Sequence, residues 1–233
     1  MKNKPLLVFI PGTLCTRDMF LPIMDNLAYE SLLIDFDKED SLEKMSNQVL
    51  RQVAGRHFIP VGFSMGGMVA FELIRNANEQ IAGLILLNSN AHADLSGRKE
   101  GREKQLTLAK KAGIRKVIED IYLSVYFANT ASPASALVLQ MAEDLGVDVF
   151  AAQLKVLAER PDSLHLLASY TRPTLIIGGE NDLPCPPAHQ HIMAEKALNS
   201  ELHIIPNCGH FGPLEEPKLI ARLVNHWIST HYG

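Results

Sequence analysis

Short apolar runs alternate along this chain with stretches of helical period. Residues 6–10, 32–36, 58–63, 81–87, 174–177 and 202–205 are rich in Val, Ile, Leu and Phe and are bounded by Gly, Pro, Asn or Asp, as short strands are. Several lack clean polar–apolar alternation, the pattern of strands covered on both faces. Between them, Leu42, Met45, Val49 and Val53 make a helical stripe over residues 41–54. Leu219, Ile220, Leu223, Val224 and Trp227 make another after Pro217, a residue that a first helical turn accepts. Strands alternating with helices predict an α/β fold, a mostly parallel sheet of about six strands with right-handed crossovers and helices on both faces.

One interval breaks the rhythm. About 85 residues separate the strand ending near Asn88 from the strand starting at Thr174, far more than one crossover helix needs. Their pattern is helical over residues 98–112, 114–127, 133–145 and 147–159. Residues 91–170 are therefore expected to form an inserted helical cap on a core built from residues 1–90 and 171–233.

Chemistry enters where the strand at 58–63 runs into Gly62-Phe63-Ser64-Met65-Gly66-Gly67 and then into a helical pattern. This is G-x-S-x-G in a strand–turn–helix context, which lifts a serine hydroxyl above the sheet edge on a strained turn. The bare pattern arises by chance in about one chain in a dozen of this length, so the context carries the weight. A hydroxyl needs a base, and the base needs an orienting acid. The strand at 174–177 leads into Gly178-Gly179-Glu180-Asn181-Asp182, and the strand at 202–205 into Pro206-Asn207-Cys208-Gly209-His210-Phe211. Acid and imidazole thus follow the carboxyl ends of parallel strands, on the edge that carries Ser64. Residue types alone leave Glu180 open beside Asp182. The strand at 81–87 ends in Leu87-Asn88-Ser89-Asn90, with no carboxylate until Asp94.

With Pro11-Gly12-Thr13 after the first strand, the Ser64 turn, Gly179-Glu180-Asn181-Asp182 followed by Pro186, and Gly209-His210-Phe211, the chain resembles the capped serine hydrolases of the α/β-hydrolase superfamily over essentially its whole length. The resemblance implies Ser64 as nucleophile, His210 as general base and acid, and Asp182 as the residue that orients the imidazole. It also implies the backbone N–H groups of Thr13 and Met65 as oxyanion donors. The reaction implied is hydrolysis of a small-molecule carboxylic ester, with a carrier-protein or CoA-linked ester as an alternative and a C–C hydrolase or a non-catalytic ligand-binding member as others. Distant similarity to esterases of a pimeloyl carrier methyl ester adds an acidic acyl carrier protein as a candidate partner. Two features depart from the family pattern: Pro11-Gly12 stands where many relatives have His-Gly, and an opening β-hairpin is not expected before residue 6. Leu14, Leu183, Phe211 and His92 are expected to bind substrate, with the cap aromatics Tyr126, Phe127 and Phe150 either facing the pocket or packing between cap helices. No cofactor is implied, and Cys15, Cys185 and Cys208 with His189, His191 and His210 match no closed zinc spacing.

Composition narrows the class further. A chain of 233 residues with 47% hydrophobic and 21% charged residues has the material for a sizeable core and is not a disordered chain. Three cysteines cannot pair completely, which favours a reducing compartment and leads us to expect the cytoplasm. Lys2 and Lys4 precede an apolar run too short for a secretory leader, and no stretch approaches the length of a membrane span. The net charge of −4 argues against general nucleic-acid binding. It conceals a local +6 between Arg98 and Lys116, leaving −10 for the rest, so the expected cap carries a basic segment on an acidic core.

Overall fold

In the computed structural model, which describes residues 5–95 and 97–233, the six apolar runs supply the strands of one parallel sheet. The positions of Lys2 and Lys4 lie outside the described residues. The strands are β1 (Leu6–Ile10), β2 (Ser31–Leu33), β3 (Phe58–Phe63), β4 (Leu84–Leu87), β5 (Thr174–Gly179) and β6 (Ser200–Ile205), in the order β2-β1-β3-β4-β5-β6. The chain leaves β1 toward one edge and returns to pair β3 on its other side, with Ile10 opposite Gly62. That reversal opens a crevice beyond the carboxyl ends of β1 and β3, where ligands of open α/β sheets bind.

The helices are α1 (Leu21–Met24), α2 (Leu42–Val53), α3 (Met65–Ala77), α4 (Arg98–Ala112), α5 (Ile114–Val117), α6 (Leu123–Tyr126), α7 (Ser135–Glu159), α8 (Leu164–Leu167), α9 (Pro187–Lys196), α10 (Gly212–Glu215) and α11 (Pro217–Tyr232). Alternate strand residues feed two separate cores. Leu6, Val8, Ile10, Leu84, Leu86 and Ile176 pack with residues of α2, α3 and α9 on one face. Leu7, Phe9, Val61, Phe63, Ile85, Leu87, Leu175 and Ile177 pack on the other with Trp227 of α11 and with residues of α4–α7. Coverage on both faces is why the strands read as unbroken apolar runs.

Local chemistry sets several boundaries. Ser41 caps α2 by accepting from Lys44 N at 3.2 Å, and Ala54 ends it in the left-handed region at φ 51°. The run at 32–36 pairs only through residue 33, because the Asp35 carbonyl accepts from the Gln48 side chain and its carboxylate from Arg17 N. The run at 81–87 opens with a single bridge from Ile81 to Phe58, and β4 begins at Leu84. The helical stretch over 114–127 is divided by a π-helical turn at Ile118–Tyr122. That over 133–159 is kinked at Gly146, whose φ of 76° suits glycine.

Candidate active site

Ser64 sits between β3 and α3 at φ 51° and ψ −114°, a strained backbone held from three sides. Its N–H donates to Leu87 O at 3.0 Å, and its carbonyl accepts from Gly67 N at 3.0 Å and from Ser89 Oγ at 2.7 Å. The glycines make room for that turn. A Cβ on Gly62 would stand 2.5 Å from Gly66 O and Gly67 N, and one on Gly66 would run into the Ile10 carbonyl.

His210 follows β6 and reaches Ser64, with Nε2 3.0 Å from Oγ. Its Nδ1 faces both oxygens of Asp182, at 2.9 and 3.0 Å. Asp182 follows β5 and is 1% exposed. Its oxygens also accept from Cys185 N at 2.8 Å and from Asn88 Nδ2 at 2.9 Å, so the carboxylate is fully engaged. Glu180 points elsewhere: it is exposed and accepts from Asn207 N at 3.1 Å. Aromatic rings enclose the imidazole, Phe63 at 5.2 Å and Tyr126 at 5.7 Å between centroids.

Thr13 and Met65 adjoin Ser64 from β1 and α3, with Thr13 Oγ1 3.7 Å from Met65 Sδ. Leu14 beside Thr13 has φ 54°, and its N–H donates to Gln153 Oε1 of α7 at 2.7 Å. The His210 loop is tied to the same helical interval. His210 N donates to Tyr126 O at 2.7 Å, while Glu215 accepts from Gly209 N and from Ala128 N, each at 2.9 Å. Burial pushes the Glu215 carboxyl above its ordinary range against those two hydrogen bonds. Burial likewise raises the thiol of Cys185 to about 12 and those of Cys15 and Cys208 well above the usual value, which keeps all three as unreactive thiols at neutral pH.

A cavity of about 470 Å³ opens over Ser64 and His210, within the range of roughly 300–1,000 Å³ for small-molecule sites. Thr13, Leu183, Phe211 and Tyr126 line it, as do Arg98, Arg102 and Arg160. Two expected binding residues do not. Leu14 is buried in the core because its positive φ turns the chain inward toward Gln153. His92 stands behind the wall with its ring 4.9 Å from that of His189 and its carbonyl accepting from Arg160 Nε at 2.9 Å. Phe127 and Phe150 are likewise core residues. The basic segment is partly neutralised locally, by Lys104 with Glu100, Arg115 with Glu143 and Lys116 with Asp120.

A family model described as the alpha/beta hydrolase family matches residues 7–223. A Haemophilus influenzae protein provisionally named 2-succinyl-6-hydroxy-2,4-cyclohexadiene-1-carboxylate synthase is 23% identical, over 95% of this chain and 96% of its own. A pimeloyl-[acyl-carrier protein] methyl ester esterase of Nitrosomonas europaea is 26% identical over 77% of this chain and 74% of its own. Among solved structures, an esterase of Thermogutta terrifontis with malate bound superposes at a TM-score of 0.92 and 24% identity, covering 100% of this chain and 92% of that one. The family match begins inside β1 and ends inside α11, so it takes in the serine turn and both loops that face it: the chain belongs to the alpha/beta hydrolase family.

Proposed function

We propose that this protein is a serine esterase, hydrolysing a small-molecule carboxylic ester through an acyl-enzyme, with residues 91–170 as a cap over the site. The observation that carries this reading is the unbroken chain from Ser64 Oγ through His210 to Asp182, at 3.0 and 2.9 Å, opening on a cavity of about 470 Å³. Ser64 attacks the ester carbonyl as His210 Nε2 takes its proton, and Asp182 steadies the imidazolium through Nδ1. The backbone N–H groups of Thr13 and Met65 receive the oxyanion, and the helix that starts at Met65 adds its positive end. His210 then protonates the departing alcohol, and water repeats the sequence in reverse to free the acid. The three unpaired thiols suit a reducing compartment such as the cytoplasm. Among the described residues no helix is long and apolar enough to cross a membrane.

A fluorophosphonate probe with the wild type and Ser64→Ala tests the reading. Labelling must depend on Ser64, and nitrophenyl-ester turnover must fall by roughly 10⁴-fold or more in the variant, since the triad acts as a unit. Retained turnover would refute it.

A second reading, a carrier-linked ester, draws on Lys99, Lys110 and Lys111, which are exposed on α4 and make no ion pair among the described residues, and on the carrier-ester relative. An acidic carrier would be steered by such a surface. Lys110→Glu with Lys111→Glu should then slow a carrier-linked ester at low salt and spare a free nitrophenyl ester.

A further inference from the structure

The wall of the cavity is lopsided in charge. Arg98, Arg102 and Arg160 line it, and no aspartate or glutamate does so among the described residues, in a protein whose net charge is −4. Arg160 is buried, with its side chain 6% exposed, and Arg102 is largely covered, with 13%. Among the described residues they share a single counter-ion, Asp94, behind the wall. Arg102 grips Asp94 with Nε and Nη2 at 2.9 and 2.8 Å, and Arg160 Nη1 lies 3.0 Å from the same carboxylate. Burial works against ionisation of Asp94, but the three arginines outweigh it and hold the carboxyl below its usual value. The buried cluster therefore carries one uncompensated positive charge, an arrangement that costs folding energy unless something neutralises it.

The donors that remain are unused by the protein. Arg160 gives Nε to His92 O and Nη1 to Leu157 O at 2.7 Å, which leaves Nη2 without an acceptor among the described residues. Arg102 Nη1 is similarly uncommitted. Gln105 accepts from the Tyr122 hydroxyl at 2.9 Å and so offers its NH₂ edge as another donor. Arg98, exposed at the start of α4, makes no ion pair among the described residues, and the positive end of that helix lies beside it. A planar guanidinium edge in a sheltered cavity is matched by a carboxylate, whose two oxygens accept parallel N–H bonds and whose single charge balances the buried excess.

We propose that this arginine wall is a carboxylate subsite, and that the substrate is an acid-bearing ester, such as the half-ester of a dicarboxylic acid. The proposal rests on the serine-esterase reading and names its substrate class. Arg98, Arg102 and Arg160 bind the carboxylate together, Arg98 from the mouth of the cavity.

The test compares nitrophenyl hydrogen glutarate with nitrophenyl methyl glutarate, which differ only in the free acid. The wild type should favour the ionised ester by tenfold or more in kcat/KM, mostly through KM. That ratio should collapse toward one in Arg98→Gln and Arg102→Gln, and persist in Lys218→Gln, an exposed lysine on α11. Equal rates for the two esters in the wild type, or a ratio unchanged in both arginine variants, would overturn the subsite. Because Arg102 also braces Asp94, Arg98→Gln alone decides the matter if Arg102→Gln fails to fold. Calorimetry of monomethyl against dimethyl glutarate on Ser64→Ala reads the subsite without turnover. Tighter binding of the monoester there upholds it, and equal binding rejects it. Loss of Ser64-dependent probe labelling would instead defeat the esterase reading, so the two failures are separable.

Discussion

Asn88 ends β4 with φ 47°, a left-handed conformation that asparagine adopts more readily than other side-chain-bearing residues. From there its Nδ2 donates both to Asp182 Oδ2 at 2.9 Å and to Gly209 O at 3.0 Å, joining the acid to the loop that carries the imidazole. The sequence marks this strand end only as a place without a carboxylate. Its positive role is invisible there, because it depends on two loops about 90 and 120 residues away meeting at one amide. Asn88→Ala removes a hydrogen bond to a buried carboxylate and forces alanine into the left-handed region. We expect a loss of about 2–3 kcal/mol in stability by chemical denaturation. Ester kcat should fall roughly tenfold or more with KM little changed, because the group lost orients the acid and does not hold substrate. An unchanged kcat in folded protein would show that His210 needs no such bracing.

The elements themselves were the most legible part of the sequence. Apolar runs buried on both faces read as strands without periodicity, and each candidate catalytic loop directly follows one of them. The boundaries were lost where a side chain intercepts a backbone group, as Gln48 does at Asp35 beyond β2. The arginine wall is hidden for a different reason: Arg98 and Arg102 belong to a basic run in which nothing local marks them apart from the exposed lysines, while Arg160 joins them only after the chain has traversed α5, α6 and α7. Two glycines separate local from tertiary demands at this scale. Gly66, in the first turn of α3, has the Ile10 carbonyl where a Cβ would go, so Gly66→Ala must push β1 and α3 apart. Gly101, inside α4, has nothing within 4 Å of that position. Gly66→Ala should therefore fail to yield folded, probe-reactive protein. Gly101→Ala should raise stability by about 0.5–1 kcal/mol through reduced backbone entropy in the unfolded chain, measurable by thermal denaturation.

At the scale of the whole molecule, both loops that flank Ser64 lean on the helical interval over them. Gln153 of α7 is buried and accepts from Leu14 N at 2.7 Å, fixing the turn that presents Thr13. Tyr126 O and the Glu215 bridge to Ala128 do the same for the loop of His210. Packing above the sheet and geometry at its edge are thus one problem, and a change distant from the serine should register in the chemical step. Gln153→Leu is the sharpest case. It keeps the volume near the core while leaving Leu14 N buried without an acceptor, a cost of about 1–3 kcal/mol. The strained φ of 54° at Leu14 then loses its restraint, and the Thr13 N–H drifts from the position proposed for the oxyanion. In the proposed mechanism that donor acts on charge that develops only during reaction, so kcat on a short nitrophenyl ester should fall roughly tenfold while KM holds, short of the 10²–10³-fold expected for losing a donor outright. Fluorophosphonate labelling, which also builds negative charge on oxygen, should slow in proportion. A variant that lost stability but kept both rates would mean that β1 alone fixes the Thr13 turn, and that α7 contributes packing without positioning.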